Sequence, residues 1–275
     1  MPELPEIETI KRGIKSLEAQ TIQKVIIRNP RLRYMVDANL TQILENVTIK
    51  QISRRAKYLV FDISQPYSPP HGHLIIHLGM SGRLTLTNTL EPLAKHDHVD
   101  IILGNGNILR YNDPRRFGCI IYTDNLNNNS LLRHLGPEPL LPEFNTRYLF
   151  GKLQNKLSSI KQLIMDNAIV VGVGNIYACE SLFLAKISPL RPGKSLSKNE
   201  VERLIKCIKE VLTQAIELGG SSISDYKHAD GSLGYFQNSH NVYGRSGKPC
   251  KRCGIEIVEK RLGQRNSFYC INCQK

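Results

Sequence analysis

No run of eighteen apolar residues occurs anywhere in this 275-residue chain, so the sequence contains no candidate transmembrane helix. It also lacks a signal-like start, a lipidation signal and an isolated basic amphipathic helix, so a soluble, cytoplasmic protein is expected. No internal repeat is evident. Acidic residues are scarce, with 24 Asp and Glu against 37 Lys and Arg, a formal net charge of +13. Such a field attracts polyanions, and with nothing favouring a membrane, nucleic acid is the expected partner. Near Val170–Tyr177 two glycines, Gly172 and Gly174, precede a helical stretch and would let backbone N–H groups approach a phosphate. The Lys-Ser/Thr of a nucleotide-binding P-loop and the full G-x-G-x-x-G pattern are both missing.

Of the 7 cysteines, Cys119, Cys179 and Cys207 stand alone in apolar or helical surroundings and read as buried thiols. Cys250, Cys253, Cys270 and Cys273 form two C-x-x-C pairs with sixteen residues between them. That spacing suits a four-cysteine zinc site better than a disulfide framework. Four thiolates complete a tetrahedral shell and leave no position open for catalysis, so one structural zinc ion is expected. The surrounding segment 240–275 carries eight Lys and Arg against two acids, and is too short to hold itself together without a metal. Two strands are predicted within it, Ile255–Glu259 and Ser267–Tyr269, joined by a basic turn bearing Arg261 and Arg265.

The opening Met1-Pro2-Glu3-Leu4-Pro5-Glu6 has two readings. Taken alone, the prolines start a helix and the carboxylates complement its positive end. Alternatively, removal of Met1 leaves Pro2 as a free secondary amine, whose pKa of roughly 7.7–8.0 makes it a usable nucleophile for an iminium intermediate. Glu3 and Glu6 lie within one turn of it and are placed for proton transfer. Ile7, Ile10, Ile14 and Leu17 recur at helical spacing, so residues 3–18 are expected to form an amphipathic helix that pins this terminus to a core.

Residues 21–123 change to short β-rich runs: Thr21–Arg28, Val47–Arg54, Tyr58–Ile63, His73–Leu78, Gly82–Thr87, Val99–Leu103, Ile108–Asn112 and Gly118–Tyr122. A short helix is expected over 39–46. Eight such strands suggest a β-sandwich or a barrel-like domain. A proline-punctuated crossing follows, with Pro137, Pro139 and Pro142 in six residues. Helices are then predicted over 145–156, 158–167, 174–185 and 197–218, and a glycine-rich polar loop over 219–234.

The ordered set of motifs resembles the formamidopyrimidine-DNA glycosylases, bacterial enzymes that excise oxidised purines. The resemblance rests on Met1–Thr9, Arg54-Arg55-Ala56-Lys57-Tyr58, His77-Leu78-Gly79-Met80-Ser81-Gly82 and Lys95–Asp100. It continues through Asp113-Pro114-Arg115-Arg116-Phe117-Gly118, His134–Pro139, Gly172–Tyr177 and Val242-Tyr243-Gly244 to Gln264-Arg265. It implies an α+β multidomain fold: an N-terminal β-sandwich with an N-terminal helix (1–132), a linker (133–145), a helix–two-turn–helix DNA-binding domain (146–236) and a β-hairpin zinc finger (240–275).

The implied activity is base excision from double-stranded DNA through a Schiff base on Pro2, followed by β- and δ-elimination. The resemblance makes Glu3 the acid/base, Glu6 a supporting carboxylate, Lys57 the proton donor in β-elimination and Arg265 the finger arginine associated with δ-elimination. Arginine is a poor proton donor at neutral pH, so Arg265 reads primarily as a phosphate clamp. Met80, Arg115 and Phe117 match residues that fill the void left by an everted base. His96 and Asn175 match DNA-backbone contacts, and Lys156 is a further candidate although Leu157 stands where some relatives carry another lysine. Loop 219–234 matches the segment that closes over the base, with Tyr235 at its border. A monomer is expected. The rival readings are an endonuclease VIII-like enzyme for oxidised pyrimidines, a noncatalytic zinc-finger DNA-binding protein and a zinc hydrolase. The closed thiolate shell argues against the last of these.

Overall fold

Apolar residues recurring at alternate or near-continuous positions between residues 22 and 123 build eight antiparallel strands whose buried faces close on one another. The computed structural model describes residues 2–65, 72–88, 91–221 and 234–275. The chain divides into two compact units, Met1–Arg133 with Gly219–Gly234, and His134–Leu218 with Tyr235–Lys275.

The first unit opens with α1 (Leu4–Gly13) and continues through β1 (Ile22–Ile27), α2 (Leu40–Ile43), β2 (Thr48–Arg55), β3 (Tyr58–Ser64), β4 (Gly72–His77), β5 (Arg83–Thr87), β6 (Asp97–Leu103), β7 (Ile108–Asn112) and β8 (Cys119–Thr123). One sheet has the order β1-β6-β7-β5 and the other β2-β3-β4-β8. Val25, Val99, Ile101 and Leu109 of the first sheet share a core with Ile52, Leu59, Phe61, Leu74 and Ile76 of the second. This is the sandwich rather than the barrel-like alternative, and all eight expected strands are present. Helix α1 contributes Ile7 and Ile10 to the same core. The helix expected over 3–18 ends at Gly13, where backbone freedom is most costly to fix. A 3-10 turn over Lys15–Leu17 then carries Leu17 into the core, which Ile14 has already entered.

The second unit contains α3 (Thr146–Leu153), α4 (Ile160–Ile164), α5 (Asn175–Leu184), α6 (Lys198–Glu217), β9 (Val258–Leu262) and β10 (Arg265–Tyr269). Side-chain caps start three of its helices: Asn145 accepts from the Tyr148 N–H, Ser159 from Gln162 and Ser197 from Glu200. Along α6, Val201, Leu204, Ile208, Val211 and Leu212 face a core shared with Leu149, Ile164, Tyr177 and Leu182. Helix α3 stops at Leu153, and Asn155 takes a left-handed φ of 63°, so Lys156 lies in the turn beyond the helix rather than at its end.

The cysteine-bearing segment is fastened to α5. The buried carboxylate of Glu180 accepts the backbone N–H groups of Asn241, Val242 and Tyr243 at 2.8–2.9 Å, and the Asn241 side-chain amide at 3.0 Å. Val242, Ile257 and Cys270 then pack with Cys179 and Phe183 of α5 in a small core. Strands β9 and β10 pair from Val258↔Tyr269 to Leu262↔Arg265. The strands therefore reach further along the chain than the sequence pattern suggested. Arg261 and Arg265 stand on the strands flanking a two-residue turn, where Gly263 takes φ +58°.

Candidate active site

The N-terminal segment is held as few chain ends are. Pro2 and Glu3 are buried, and Glu3 occupies the position just before α1 in an extended conformation. One oxygen of the buried Glu6 carboxylate accepts the Glu3 N–H at 2.7 Å, and the other accepts the Ser221 N–H at 2.8 Å. Both carboxylates thus sit at the N-terminal end of α1. Only with Met1 removed would the Pro2 nitrogen be a secondary amine beside these acids, with the chemistry of an iminium-forming nucleophile. Met1 lies outside the described residues, and so do residues 222–233 of the loop expected over 219–234. Tyr235, next to that loop, is exposed.

Lys57 is almost wholly buried and sits in the two-residue turn between β2 and β3, in the gap that the two expected strands leave. Ala56 takes a left-handed φ of 55° to make that turn. Arg54 fastens the turn to the N-terminal helix: its Nη1 donates to the Ala56 carbonyl at 3.0 Å, and its Nε donates to the Glu8 carboxylate at 3.0 Å. Burial pushes the Glu8 carboxyl up, but hydrogen bonds from Lys11 and Arg54 outweigh it and hold the group below the ordinary range. His77 lies close to Lys57 electrostatically. Burial, then the charges of Lys57 and Arg33, push its imidazole down to about 4. The ring is therefore neutral at pH 7, and its Nδ1 accepts the Gly79 N–H at 3.0 Å, shaping the turn that carries Met80.

Two turns of the first unit meet beside that ring. Met80 is half-buried on one of them. The other carries Arg115 and Phe117, and Phe117 is 46% exposed, so it is not a core residue. The Arg115 guanidinium lies 4.9 Å from the Phe117 ring centroid, an exposed planar pair. His96 is half-buried, and its carbonyl accepts the Asp113 N–H at 3.1 Å.

In the second unit, Asn175 begins α5 directly after Gly174, and its Nδ2 donates to the Asn266 carbonyl at 3.0 Å. The buried Lys161 donates to the same carbonyl at 2.9 Å and to Ser267 Oγ at 2.7 Å. Arg265, the preceding residue, is exposed at the start of β10 on a backbone held from beneath. Lys156 is exposed, and its neighbour Leu157 is 73% exposed.

The four cysteines converge, with all ligand atoms within 4.8 Å of one another. Cys250 and Cys273 sulfurs are 3.9 Å apart, and those of Cys253 and Cys270 are 3.5 Å apart. Those separations exclude disulfides at about 2.05 Å and match the roughly 3.8 Å sulfur–sulfur edge of a tetrahedron with 2.3 Å zinc–sulfur bonds. Backbone N–H groups of Arg252 and Cys273 point at Cys250 and Cys270 sulfurs at 3.4 Å, as suits thiolates. The residues fit one structural zinc ion. The other three cysteines are buried, and burial pushes the Cys119 thiol up to about 11, leaving it unreactive.

Sequence reasoning singled out neither Lys161 nor Glu180, and gave Asp113 no role beyond its place in the motif Asp113–Gly118. A lysine or acid inside a helix or turn is ordinarily a solvated group, and only the depth of burial and the convergence of partners mark these three.

Fold and site together define a multidomain DNA-repair glycosylase with helix–two-turn–helix and zinc-finger parts. Residues 1–120 match the formamidopyrimidine-DNA glycosylase N-terminal domain, 135–227 the H2TH domain of the same enzymes, and 247–275 a zinc finger found in FPG and IleRS. The formamidopyrimidine-DNA glycosylase of Hydrogenovibrio crunogenus is 51% identical over 277 residues, covering 100% of this chain and 97% of that protein. The corresponding protein of Haemophilus influenzae (strain 86-028NP) is 49% identical, with 100% and 99% covered. Among solved structures, a Lactococcus lactis FPG variant in complex with a Fapy-dG containing DNA superposes with a TM-score of 0.91 at 36% identity, covering 100% of both chains. The MutM (FPG) protein of Thermus thermophilus gives 0.87 at 38% identity, with 99% of this chain and 98% of that one covered. The Lactococcus lactis enzyme bound to an oxidized pyrimidine containing DNA gives 0.89 at 36% identity, with 100% of each chain covered. The chain belongs to the formamidopyrimidine-DNA glycosylase family.

Proposed function

We propose that this enzyme removes oxidised purines, 8-oxoguanine and formamidopyrimidines, from double-stranded DNA and then cleaves the strand at the abasic site. With Met1 removed, the Pro2 nitrogen attacks C1′ of the damaged nucleoside. The glycosidic bond breaks, the base leaves with a proton, and a covalent iminium remains. Glu3 moves the proton for base departure and ring opening, and Glu6 supports it. The iminium acidifies the neighbouring sugar protons, so β-elimination and then δ-elimination release the flanking phosphates. Lys57 serves as proton donor in the first elimination, and Arg265 clamps a phosphate in the second. Met80, Arg115 and Phe117 fill the space of the everted base, while His96, Asn175 and Lys156 contact the DNA backbone. Residues 1–132 are the catalytic part, 146–236 the helix–two-turn–helix part and 240–275 the finger. Zinc, when bound, supplies only structural cohesion to the finger. The protein acts as a monomer in the bacterial cytoplasm; no helix among the described residues is long and apolar enough to cross a membrane.

The observation that carries this reading is the burial of Pro2 and Glu3, since a chain terminus is ordinarily mobile and here Glu6 holds it. The reading predicts that borohydride traps a covalent adduct between Pro2 and an 8-oxoguanine·cytosine duplex. Absence of an adduct from protein shown to lack Met1 would overturn it and favour a noncatalytic DNA-binding role. A second reading, excision of oxidised pyrimidines, draws support from the Lactococcus lactis enzyme solved with such DNA. Leu4 and the Arg115–Phe117 pattern favour purines. Comparing excision rates on 8-oxoguanine and thymine glycol decides between the two.

A further inference from the structure

Asp113 stands at the end of β7 with its side chain fully buried, and the residues that converge on it come from three separate segments. Its Oδ1 accepts the Ser81 hydroxyl at 2.8 Å. Its Oδ2 accepts the Gly118 N–H at 2.9 Å, and the Tyr111 hydroxyl, 3.4 Å away, shares its one proton between this oxygen and the His77 carbonyl at 3.1 Å. Its own N–H donates to the His96 carbonyl at 3.1 Å, and its carbonyl lies 2.8 Å from His98 Nε2. Ser81 passes the connection on, because its Oγ also accepts the Arg115 N–H at 3.1 Å. Each oxygen of the Asp113 carboxylate thus accepts at least one hydrogen bond, from Ser81 on one side and Gly118 on the other, as a buried polar group requires.

The geometry has a consequence for the two turns. Met80 lies between Gly79 and Ser81, while Arg115 and Phe117 lie between Asp113 and Gly118. Backbones of the two turns are pressed together: a Cβ on Gly79 would lie 2.4 Å from the Phe117 carbonyl carbon, and one on Gly118 would lie 2.4 Å from the His77 carbonyl oxygen. Gly79 also takes φ +60°, which L side chains rarely adopt. Surface turns are ordinarily independent and mobile. Here the carboxylate of one buried residue links them to each other, and its backbone links them to His96 and His98.

We propose that Asp113 is the positioning residue that joins the Met80 turn and the Arg115–Phe117 turn into one rigid wedge, with Ser81 as its relay. The proposal rests on reading Met80, Arg115 and Phe117 as the void-filling residues. A wedge that must hold a duplex open against restacking works only if its parts do not yield separately, and misplacement by about 1 Å can cost on the order of a hundredfold in rate. Asp113 touches neither the damaged base nor the sugar in this scheme. Its effect appears only where an orphaned base partner has to be held apart.

Two substrates separate positioning from general damage. One is 8-oxoguanine in a duplex, which requires the wedge; the other is a pre-formed abasic site in a single strand, which has no partner base. Asp113→Ala and Ser81→Ala are expected to slow single-turnover excision from the duplex by roughly tenfold or more. Their loss on the single-stranded abasic site should be several times smaller. Asp113→Asn, which keeps an acceptor for Gly118 and turns its amide to the Ser81 oxygen, should recover most of the loss. Met80→Ala, Arg115→Ala and Phe117→Ala report on the wedge directly. If these three slow duplex excision and both clamp variants leave it at the parental rate, the Asp113 proposal is wrong. If none of the three has any effect, the void-filling reading fails, and the clamp with it. Should Asp113→Ala fail to fold, Ser81→Ala carries the test, and equal losses on both substrates by folded Ser81→Ala would reduce Asp113 to a stability residue.

Discussion

The carboxylate of Glu6 joins two distant parts of the chain, accepting the Ser221 N–H at 2.8 Å while its other oxygen accepts the Glu3 N–H. The adjacent Gly220 takes φ +79°, and a Cβ there would lie 2.7 Å from Glu6 Oε1. Glu6→Ala leaves two donors without this carboxylate and should lower unfolding free energy by about 1–3 kcal/mol in denaturant titrations. Gly220→Ala should displace Glu6 and slow borohydride-trapped adduct formation. An unchanged trapping rate would show that the N-terminal segment does not depend on this bond.

Lys161 supports the strand that presents Arg265. Replacing it with Met removes donors to Asn266 and Ser267 from a buried position, with an expected cost of about 1–3 kcal/mol. Strand cleavage should suffer more than base release, because the hairpin backbone rather than the N-terminal amine is disturbed. Asn175→Ala removes the other donor to Asn266, so the two substitutions should be non-additive. Strict additivity would mean that the two side chains do not act on the hairpin together.

Metal analysis should find one zinc per chain. Cys270→Ser should lose that metal and weaken DNA binding while leaving the N-terminal amine open to chemical labelling. The cause is cohesive: Cys270 belongs both to the four-sulfur cluster and to the small core against α5. Intact protein free of zinc would refute the finger as described.

His77 gives a pH dependence of definite sign. Its folded value of about 4 lies below the ordinary 6.5, because burial and the neighbouring cations disfavour the imidazolium. Below pH 6.5 the unfolded chain therefore binds a proton that the folded chain refuses. The histidine costs no stability above pH 6.5, and its penalty grows as pH falls from 6.5 to about 4, reaching at most about 3 kcal/mol. Stability measured between pH 4 and 7 should be flatter in His77→Gln than in the parent.

DNA affinity should fall steeply with salt, as expected when several phosphates are neutralised. If Lys156 touches a phosphate, Lys156→Ala reduces the slope of log affinity against log salt by about 1 and weakens all sequences alike. An unaltered slope would place this lysine outside the interface.

The sequence by itself determined what depends on local pattern. Alternating apolar runs are legible because strand side chains alternate faces, so all eight strands of the first unit were visible. Two C-x-x-C pairs announced the metal site because thiolate chemistry admits few other uses of that spacing. Element ends were less legible: Gly13 ends α1 early, and α3 stops at Leu153 before Asn155 adopts a left-handed backbone that no composition rule signals. Only the tertiary structure decided which polar residues work from inside. Asp113, Lys161 and Glu180 look like ordinary charges in the sequence. Each becomes informative because donors or acceptors from residues far along the chain converge on it where water is excluded. Convergence of that kind is a property of three-dimensional packing, and the order of residues along one segment carries no trace of it.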